Sequence, residues 1–561
     1  MNKIRIYQLL PRLFANKGGS NTMGNKPHGT IEENGSGKLN DITTEVLLKI
    51  KDLGITHVWY TGVIEHATKS QFKGIAPDNP DIVKGEAGSP YAIKDYYDIA
   101  PALATSLPHR MEEFEQLVTR THQAGMKVII DFVPNHLARQ YHSDAKPLGV
   151  ADFGSRDDSS RPFIPNNNFY YLPSQELTIG SYHEAPAKAT GNDCFSATPS
   201  QYDWYETIKL NYGIDYLQHT GAHFDPIPDT WQKMKEILLF WAKKGVDAFR
   251  CDMAHMVPLP FWQWVTQEVR HEYPHILFIA EIYQPELYHS FITAGFDLLY
   301  DKVGLYDTLI AILRGERGVE ALPYAREAGV HHQGHLLRFI ENHDEQRVAS
   351  DFIAGSGSHG IPAMAVATFA SNDAIMIYFG QELGERGMNS EGFSGQDGRT
   401  TIFDYWHLEL IQKAYYPDLT FTQPTTIKKE ETLRSIELQD SYRKILTLPT
   451  HYPSLSSGEF YDLLYANPAC HTQQVYPFIR HNATEFCLIC CNFSNMTQHV
   501  DLSLPEHLFT LLPSWSCTPL ILHQHPTPGK TQSTSCQLSA NTPYHVTLPP
   551  HSYLLHHFTC Q

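Results

Sequence analysis

The chain has 561 residues, 42% hydrophobic and 19% charged, which excludes wholesale disorder and fits a globular protein of roughly two to four domains. Its 43 basic and 61 acidic residues give a formal charge of −18. That argues against a nucleic-acid partner, whose phosphates demand a basic surface, and permits a neutral, hydroxyl-rich ligand. No run of about 18 apolar residues occurs, so no membrane span is expected.

The N-terminal MNKIRIYQLLPRLF carries Arg5, Gln8 and Arg12 within a short apolar stretch and has no small-residue cleavage site. It reads as a first strand rather than an export signal, and the expected location is cytoplasmic. ITTEVLLKIKDLG reads as a helix stopping at Gly54, followed by the strand THVWYTGV. MEEFEQLVTRTHQAG and MKVIIDFV repeat that helix–strand pattern. So do TWQKMKEILLFWAKKG with VDAFRCD, and PFWQWVTQEVRHEYP with ILFIAEIY. GFDLLYD, HLLRFIEN and AIMIYFG complete eight candidate strands, with Gly or Pro at the joints. This rhythm predicts an α/β fold, a (β/α)8 TIM barrel. A doubly wound open sheet is the structural alternative, but no GxGxxG or P-loop supports a nucleotide-binding version.

The rhythm breaks at 137–228, a Pro-, Asn- and Gly-bearing stretch too long for a structureless loop. It is expected to be an insertion subdomain after the third strand, dividing the barrel into 1–136 and 229–457. From 458 to 561 short alternating strands such as EFCLICCNFS, HVDLSL and HSYLLHHF predict a C-terminal antiparallel β-sandwich. Seven of the nine cysteines lie after residue 469. Strand alternation puts Cys487 and Cys491 on one face and Cys490 on the other, and no second pair stands at finger-like spacing. Buried free thiols are therefore expected rather than a zinc site.

Alternate residues of a strand share a face. GVDAFRCDMAH thus points Arg250 and Asp252 the same way. For an isolated Arg-x-Asp a structural ion pair is the simpler reading. Here, however, neighbouring strands end in the same fashion: KVIIDFVPNH in Asp131, Asn135 and His136, ILFIAEIY in Glu281, and HLLRFIENHDEQR in Asn342, His343 and Asp344. Barrel side chains at the C-terminal ends of strands converge on one mouth. Asp252, Glu281 and Asp344 meeting there suit glycoside chemistry, in which an ionised carboxylate attacks the anomeric carbon and a protonated one serves the leaving oxygen. Arg250 is expected to keep Asp252 ionised. The apolar ILFIA before Glu281 is expected to favour its protonated form.

At these residues the sequence resembles the α-amylase superfamily of retaining α-glucoside-active enzymes, in DFVPNH, GVDAFRCDMAH, AEIY and ENHD, and also in GSPYAIKDYYDIAP, FDLLYD and MIYFGQELGE. The resemblance covers essentially the whole chain. It implies Asp252 as nucleophile, Glu281 as general acid/base and Asp344 as transition-state stabiliser. It also implies Tyr91 stacking on the sugar, Arg250, His136 and His343 lining the cleavage subsite, and Asp131 supporting its geometry. Where many starch-degrading members carry Lys-His after the nucleophile, this chain has His255 and Met256; His255 falls on the acceptor side. No cofactor is required. The resemblance offers Asn135 as a ligand for a structural calcium; Asn135 as a hydrogen-bonding turn residue is the other reading.

The function expected is hydrolysis of α-glucosidic bonds in maltooligosaccharides or related α-glucans. A glucosyl or maltosyl transferase on the same scaffold is the alternative. A non-catalytic binding relative is the third reading, against which stand three intact carboxylates. The sequence does not address oligomeric state.

Overall fold

The computed structural model describes residues 3–20, 24–200, 202–217, 219, 221–388, 397–417, 427–511, 520–524, 538–540 and 542–559. Eight parallel strands close into a barrel. They are β1 (Arg5–Leu9), β2 (His57–Tyr60), β3 (Lys127–Phe132), β4 (Ala248–Cys251), β5 (Leu277–Ala280), β6 (Leu298–Tyr300), β7 (Leu336–Arg338) and β8 (Ala374–Tyr378). Each pairs with its sequence neighbour, and β1 closes on β8 with Tyr7 opposite Ile377. All eight strands read from the sequence are present.

The helices between them show why the apolar periodicity was informative. Helix Thr44–Asp52 starts where Thr43 Oγ1 accepts the Val46 N–H and buries Val46, Leu47 and Ile50. Its end is turned by Gly54 at φ +89°, a conformation that penalises any residue with a Cβ. Helix Asp229–Lys243 buries Trp231, Met234, Ile237, Leu238 and Trp241, a single stripe at helical spacing. No helix among the described residues is long and apolar enough to cross a membrane.

Three excursions rise from the C-terminal ends of the strands. After β2 the chain forms an antiparallel pair of strands, Ile64–His66 with Ile93–Ile99. After β3 come short antiparallel pairs: His136–Ala138 with Thr207–Lys209, Tyr171–Leu172 with Ala187–Lys188, Leu177–Ile179 with Tyr182–Glu184, and Ile214–Asp215 with Gly221–Ala222. After β8 the segment around Ile402 and Phe403 folds back, and Phe403 O accepts the Ala87 N–H at 2.9 Å.

Beyond helix Lys429–His451 lies a five-stranded antiparallel sheet, in the order Glu459–Asp462, Val475–His481, Glu485–Asn492, Ser552–Thr559, Leu520–Gln524. A two-stranded ladder, Gln498–Leu502 with Tyr544–Leu548, accompanies it. Fully buried Arg480 ties this sheet to the barrel by donating to Phe369 O at 2.8 Å. Cys470, Cys487, Cys490 and Cys491 are buried free thiols; Cys517, Cys536 and Cys560 lie outside the described residues.

Candidate active site

Alternation along β4 brings Arg250 and Asp252 to the barrel axis. Arg250 is fully buried. Its Nη1 donates to Asp252 Oδ1 at 2.7 Å. Its Nη2 lies 2.7 Å from Glu281 Oε1, out of hydrogen-bond alignment. Asp131 Oδ1 stands 3.7 Å from Nη1, and Nε donates to Tyr300 Oη at 3.2 Å. The rings of Trp59, Tyr91 and Tyr300 surround the guanidinium carbon at 5.3 to 5.6 Å, a cation–π cage that helps a desolvated cation stay charged.

Two expectations about protonation need correction. Arg250 does pair with Asp252, but it does not by itself hold Asp252 ionised. Burial and then the nearby Glu281 push the Asp252 carboxyl well above its ordinary value, against the pull of Arg250. Nor does Glu281 sit among apolar groups. It follows β5 and turns to the axis, so its neighbours are Arg250, the Tyr283 hydroxyl donating to Oε1 at 2.6 Å, and the Met253 N–H donating to Oε2 at 2.8 Å. Met253 reaches this position in a left-handed conformation, φ +43°, which is uncommon for a residue with a side chain. The physical reason is that both carboxyls meet at one guanidinium in a dry site: burial and the neighbouring carboxylate raise Asp252, and the turn past β5 takes Glu281 away from the apolar strand. Asp252 Oδ2 is buried with no hydrogen-bond partner among the described residues.

Asp344 sits at the rim with its side chain 40% exposed. Burial works to raise its pKa, yet His343, Arg250 and Arg399 together bring it down to about 2. Its Oδ2 is 3.0 Å from His343 Nε2. That nitrogen also meets Tyr91 Oη at 2.6 Å, while His343 Nδ1 meets Gln8 Nε2 at 2.7 Å. Asn342 Oδ1 accepts the N–H groups of Asp344 and Glu345 and shapes the turn. Tyr91 stacks on His343 with ring centroids 5.3 Å apart and donates to Asp131 Oδ1 at 3.3 Å. Asp131 Oδ2 accepts from Trp59 Nε1 and the Gly62 N–H, both at 3.2 Å.

His136 packs 5.2 Å from the Trp204 ring. Burial, with Lys209 and Lys84 nearby, lowers its pKa to about 3, so it meets a ligand as a neutral imidazole. His255 is half-buried, 6.5 Å from the Tyr283 ring, and burial lowers its pKa too.

Asn135 does not fit a calcium ion. Its Oδ1 accepts from Lys209 Nζ at 2.9 Å, its Nδ2 donates to Gly191 O at 2.7 Å, and the same ammonium lies 2.5 Å from Asp193 Oδ1. A hard divalent ion needs those oxygens for itself, and a buried lysine already supplies the positive charge. Asn135 is the hydrogen-bonding residue of the second reading.

All the residues picked from the sequence thus come to one mouth or its wall. A cavity of about 240 Å³ is lined by Tyr91, His136, Asp252, Glu281, Asp344 and Phe403, among others. A second, of about 500 Å³, shares Tyr283, Asp344, Ile402 and Phe403 with it. Sequence reasoning missed the supporting layer: Gln8, Trp59, Gly62, Tyr283 and Tyr300. Tyr283 and Tyr300 stand inside the quoted AEIY and FDLLYD, and Trp59 and Gly62 inside the strand THVWYTGV, which was the available signal. Gln8 in an apolar strand gave none.

Comparison with known proteins identifies the family and the fold. Residues 8–286 match the family model described as the alpha amylase catalytic domain. The chain belongs to the α-amylase family. This family member is 24% identical over 389 residues to Alpha-amylase 3 of Dictyoglomus thermophilum, covering 66% of the chain and 68% of that relative. It is 24% identical to an alpha-1,4-glucan:maltose-1-phosphate maltosyltransferase of Cereibacter sphaeroides over 49% of the chain, and 28% identical to Maltase 1 of Drosophila virilis over 44%. The chain spans only 32% and 30% of those two relatives' lengths. Among solved structures, the cyclic alpha-maltosyl-(1→6)-maltose hydrolase from Arthrobacter globiformis superposes with TM-score 0.63 at 17% identity, covering 100% of this chain and 98% of that one. The alpha-amylase from Geobacillus thermoleovorans gives 0.62 at 19%, covering 99% and 98%. These likenesses are to the fold. The relatives include an amylase, a maltase and a maltosyltransferase.

Proposed function

We propose that the protein is a retaining α-glucoside hydrolase working by double displacement on maltooligosaccharides or related α-glucans. Asp252 Oδ2 attacks the anomeric carbon while Glu281 gives its proton to the departing glycosidic oxygen, and a glycosyl ester forms on Asp252. Glu281, now a carboxylate, takes a proton from water. That water's oxygen attacks the same carbon, and Asp252 leaves. Asp344, anionic down to about pH 2, faces the oxocarbenium-like charge. His136, His343 and Tyr91 hold the sugar, and His255 lies toward the acceptor.

The observation that carries this reading is the single guanidinium bridging Asp252 and Glu281. Two carboxyls at the two ends of one Arg250 suit the ~5 Å spacing of a nucleophile and its acid partner, not the wider gap that admits a water between them. Burial and the neighbouring Glu281 raise the Asp252 pKa in the empty site, so Asp252 favours a proton at rest. Binding of sugar over Asp252 places that proton on Glu281, where the leaving oxygen needs it.

The similarity to a maltosyltransferase favours transfer as the second reading. Maltooligosaccharides incubated with and without phosphate separate the two. Hydrolysis gives shorter sugars whose first-formed anomer, read by NMR, is α, with no change on adding phosphate. Longer products or a sugar phosphate would establish transfer, and a β-anomer would overturn the nucleophile assigned.

A further inference from the structure

The catalytic pocket contains a second, unassigned pair of charges. Lys84, from the excursion after β2, and Glu206, from the insertion after β3, both line the 240 Å³ cavity with Asp252 and Glu281. Lys84 Nζ lies 3.0 Å from Glu206 Oε1, with side chains 13% and 5% exposed. Glu206 Oε2 is buried and has no hydrogen-bond partner among the described residues, a condition it shares in this cavity with Asp252 Oδ2.

A buried ion pair is a poor fastener, because desolvating both ions offsets their attraction. The two excursions have other links: Asn79 N–H to Gln140 Oε1 at 2.6 Å, and Ser181 N–H to Asp81 Oδ2 at 2.7 Å. The pair is therefore not needed to join them. What it offers the cavity is an ammonium with three N–H donors beside a carboxylate with a spare acceptor oxygen. A hydroxyl both donates and accepts, so adjacent hydroxyls of one sugar satisfy both groups.

We infer that Lys84 and Glu206 form a hydroxyl clamp that reads the configuration of the α-glucosyl unit in the cleavage pocket. The clamp rests on the α-glucoside reading above and adds residues that select the sugar without entering the reaction. Lys84 donates to one ring hydroxyl, and Glu206 Oε2 accepts from its neighbour.

The test compares wild type with Lys84→Met, Glu206→Gln and the double variant Lys84→Met/Glu206→Leu on p-nitrophenyl α-glucoside and its epimers at C4 and C2, the α-galactoside and α-mannoside. A charged hydrogen bond is worth about 10- to 100-fold in kcat/KM. The clamp predicts a fall of that order on the glucoside, carried mainly by KM, together with a narrowed preference for glucoside over whichever epimer inverts a clamped hydroxyl. The double variant, having no stranded buried charge, keeps a Tm close to wild type. A lowered Tm with unchanged kcat/KM and unchanged sugar preference overturns the clamp and makes the pair a strap. Wild type that neither hydrolyses these glycosides nor binds maltotriose by calorimetry overturns both the clamp and the α-glucoside reading. Wild type that is active beside variants of unaltered selectivity overturns the clamp alone.

Discussion

Two buried arginines on barrel strands, Arg250 and Arg338, make an instructive contrast. Arg338 donates to Asp373 Oδ2 through Nε at 3.1 Å and Nη2 at 2.9 Å, and to Asp301 through Nη1. Asp373 is further satisfied by the Gly334 N–H. Burial acts to raise the Asp373 pKa, but Arg338 and these hydrogen bonds leave it below its ordinary value. Arg250 instead faces Asp252, Glu281 and Asp131, leaves Asp252 Oδ2 unpartnered, and does not bring the Asp252 pKa down. In the first cluster the Arg338 hydrogen bonds and the Gly334 N–H satisfy Asp373, which stabilises the fold. The second leaves a carboxylate oxygen unpartnered and its pKa raised, which is the condition for a proton that can move.

Substituting the two aspartates should give opposite results. Asp252→Asn is expected to lower kcat by at least about 10⁴-fold while raising Tm at pH 7 by roughly 1–3 °C. The sign follows from linkage: a carboxyl with a raised folded-state pKa loses stability as pH rises from its unfolded value towards the folded one, and an amide removes the cost. Asp373→Asn should lower Tm at neutral pH, because a depressed pKa contributes stability above the unfolded value that is lost only as pH falls through the folded one. Thermal melts of both variants at pH 7 measure this. Equal signs would erase the contrast.

Removing the cations comes next. Arg250→Met and Arg338→Met should each destabilise by about 3–5 kcal/mol in urea melts, since each strands buried carboxylates. Only Arg250→Met should displace the pH–rate profile, moving its limbs upward.

The profile itself should be bell-shaped, because turnover requires the Asp252–Glu281 pair to hold one proton. Asp344, down at about 2, is not the source of the acid limb. Asp344→Asn should therefore reduce kcat without moving either midpoint in kcat–pH measurements.

A smaller effect, about 3- to 10-fold in kcat/KM, is expected for Gln8→Leu, which removes one hydrogen bond orienting His343. The smallest is chelation. EDTA should leave Tm unchanged, because Lys209 occupies the oxygen of Asn135.

Much of this was legible in the chain. Eight apolar runs separated by amphipathic helices specify the barrel, because each parallel strand is buried on both faces and each helix needs one apolar stripe. Carboxylates at the same end of separate strands have only one place to meet. What the sequence could not convey was partnership across strands. ILFIA suggested an apolar setting for Glu281, but those side chains belong to β5, whereas Glu281 lies past its end and faces Arg250 of β4. Asn135 looked able to hold a cation until Lys209, 74 residues on, supplied one. Glu206 and Lys84 stand in loops without periodicity, where sequence gives no direction to a side chain.

Trapping the glycosyl ester addresses the assignment at its root. The protein incubated with 5-fluoro-α-glucosyl fluoride, a substrate whose ring fluorine slows both steps while fluoride leaves readily, is digested and analysed by mass spectrometry. The expected result is a fluoroglucosyl adduct on the peptide carrying Asp252, absent from Asp252→Asn. An adduct on Glu281 or Asp344, or turnover with no adduct at any time point, would contradict it.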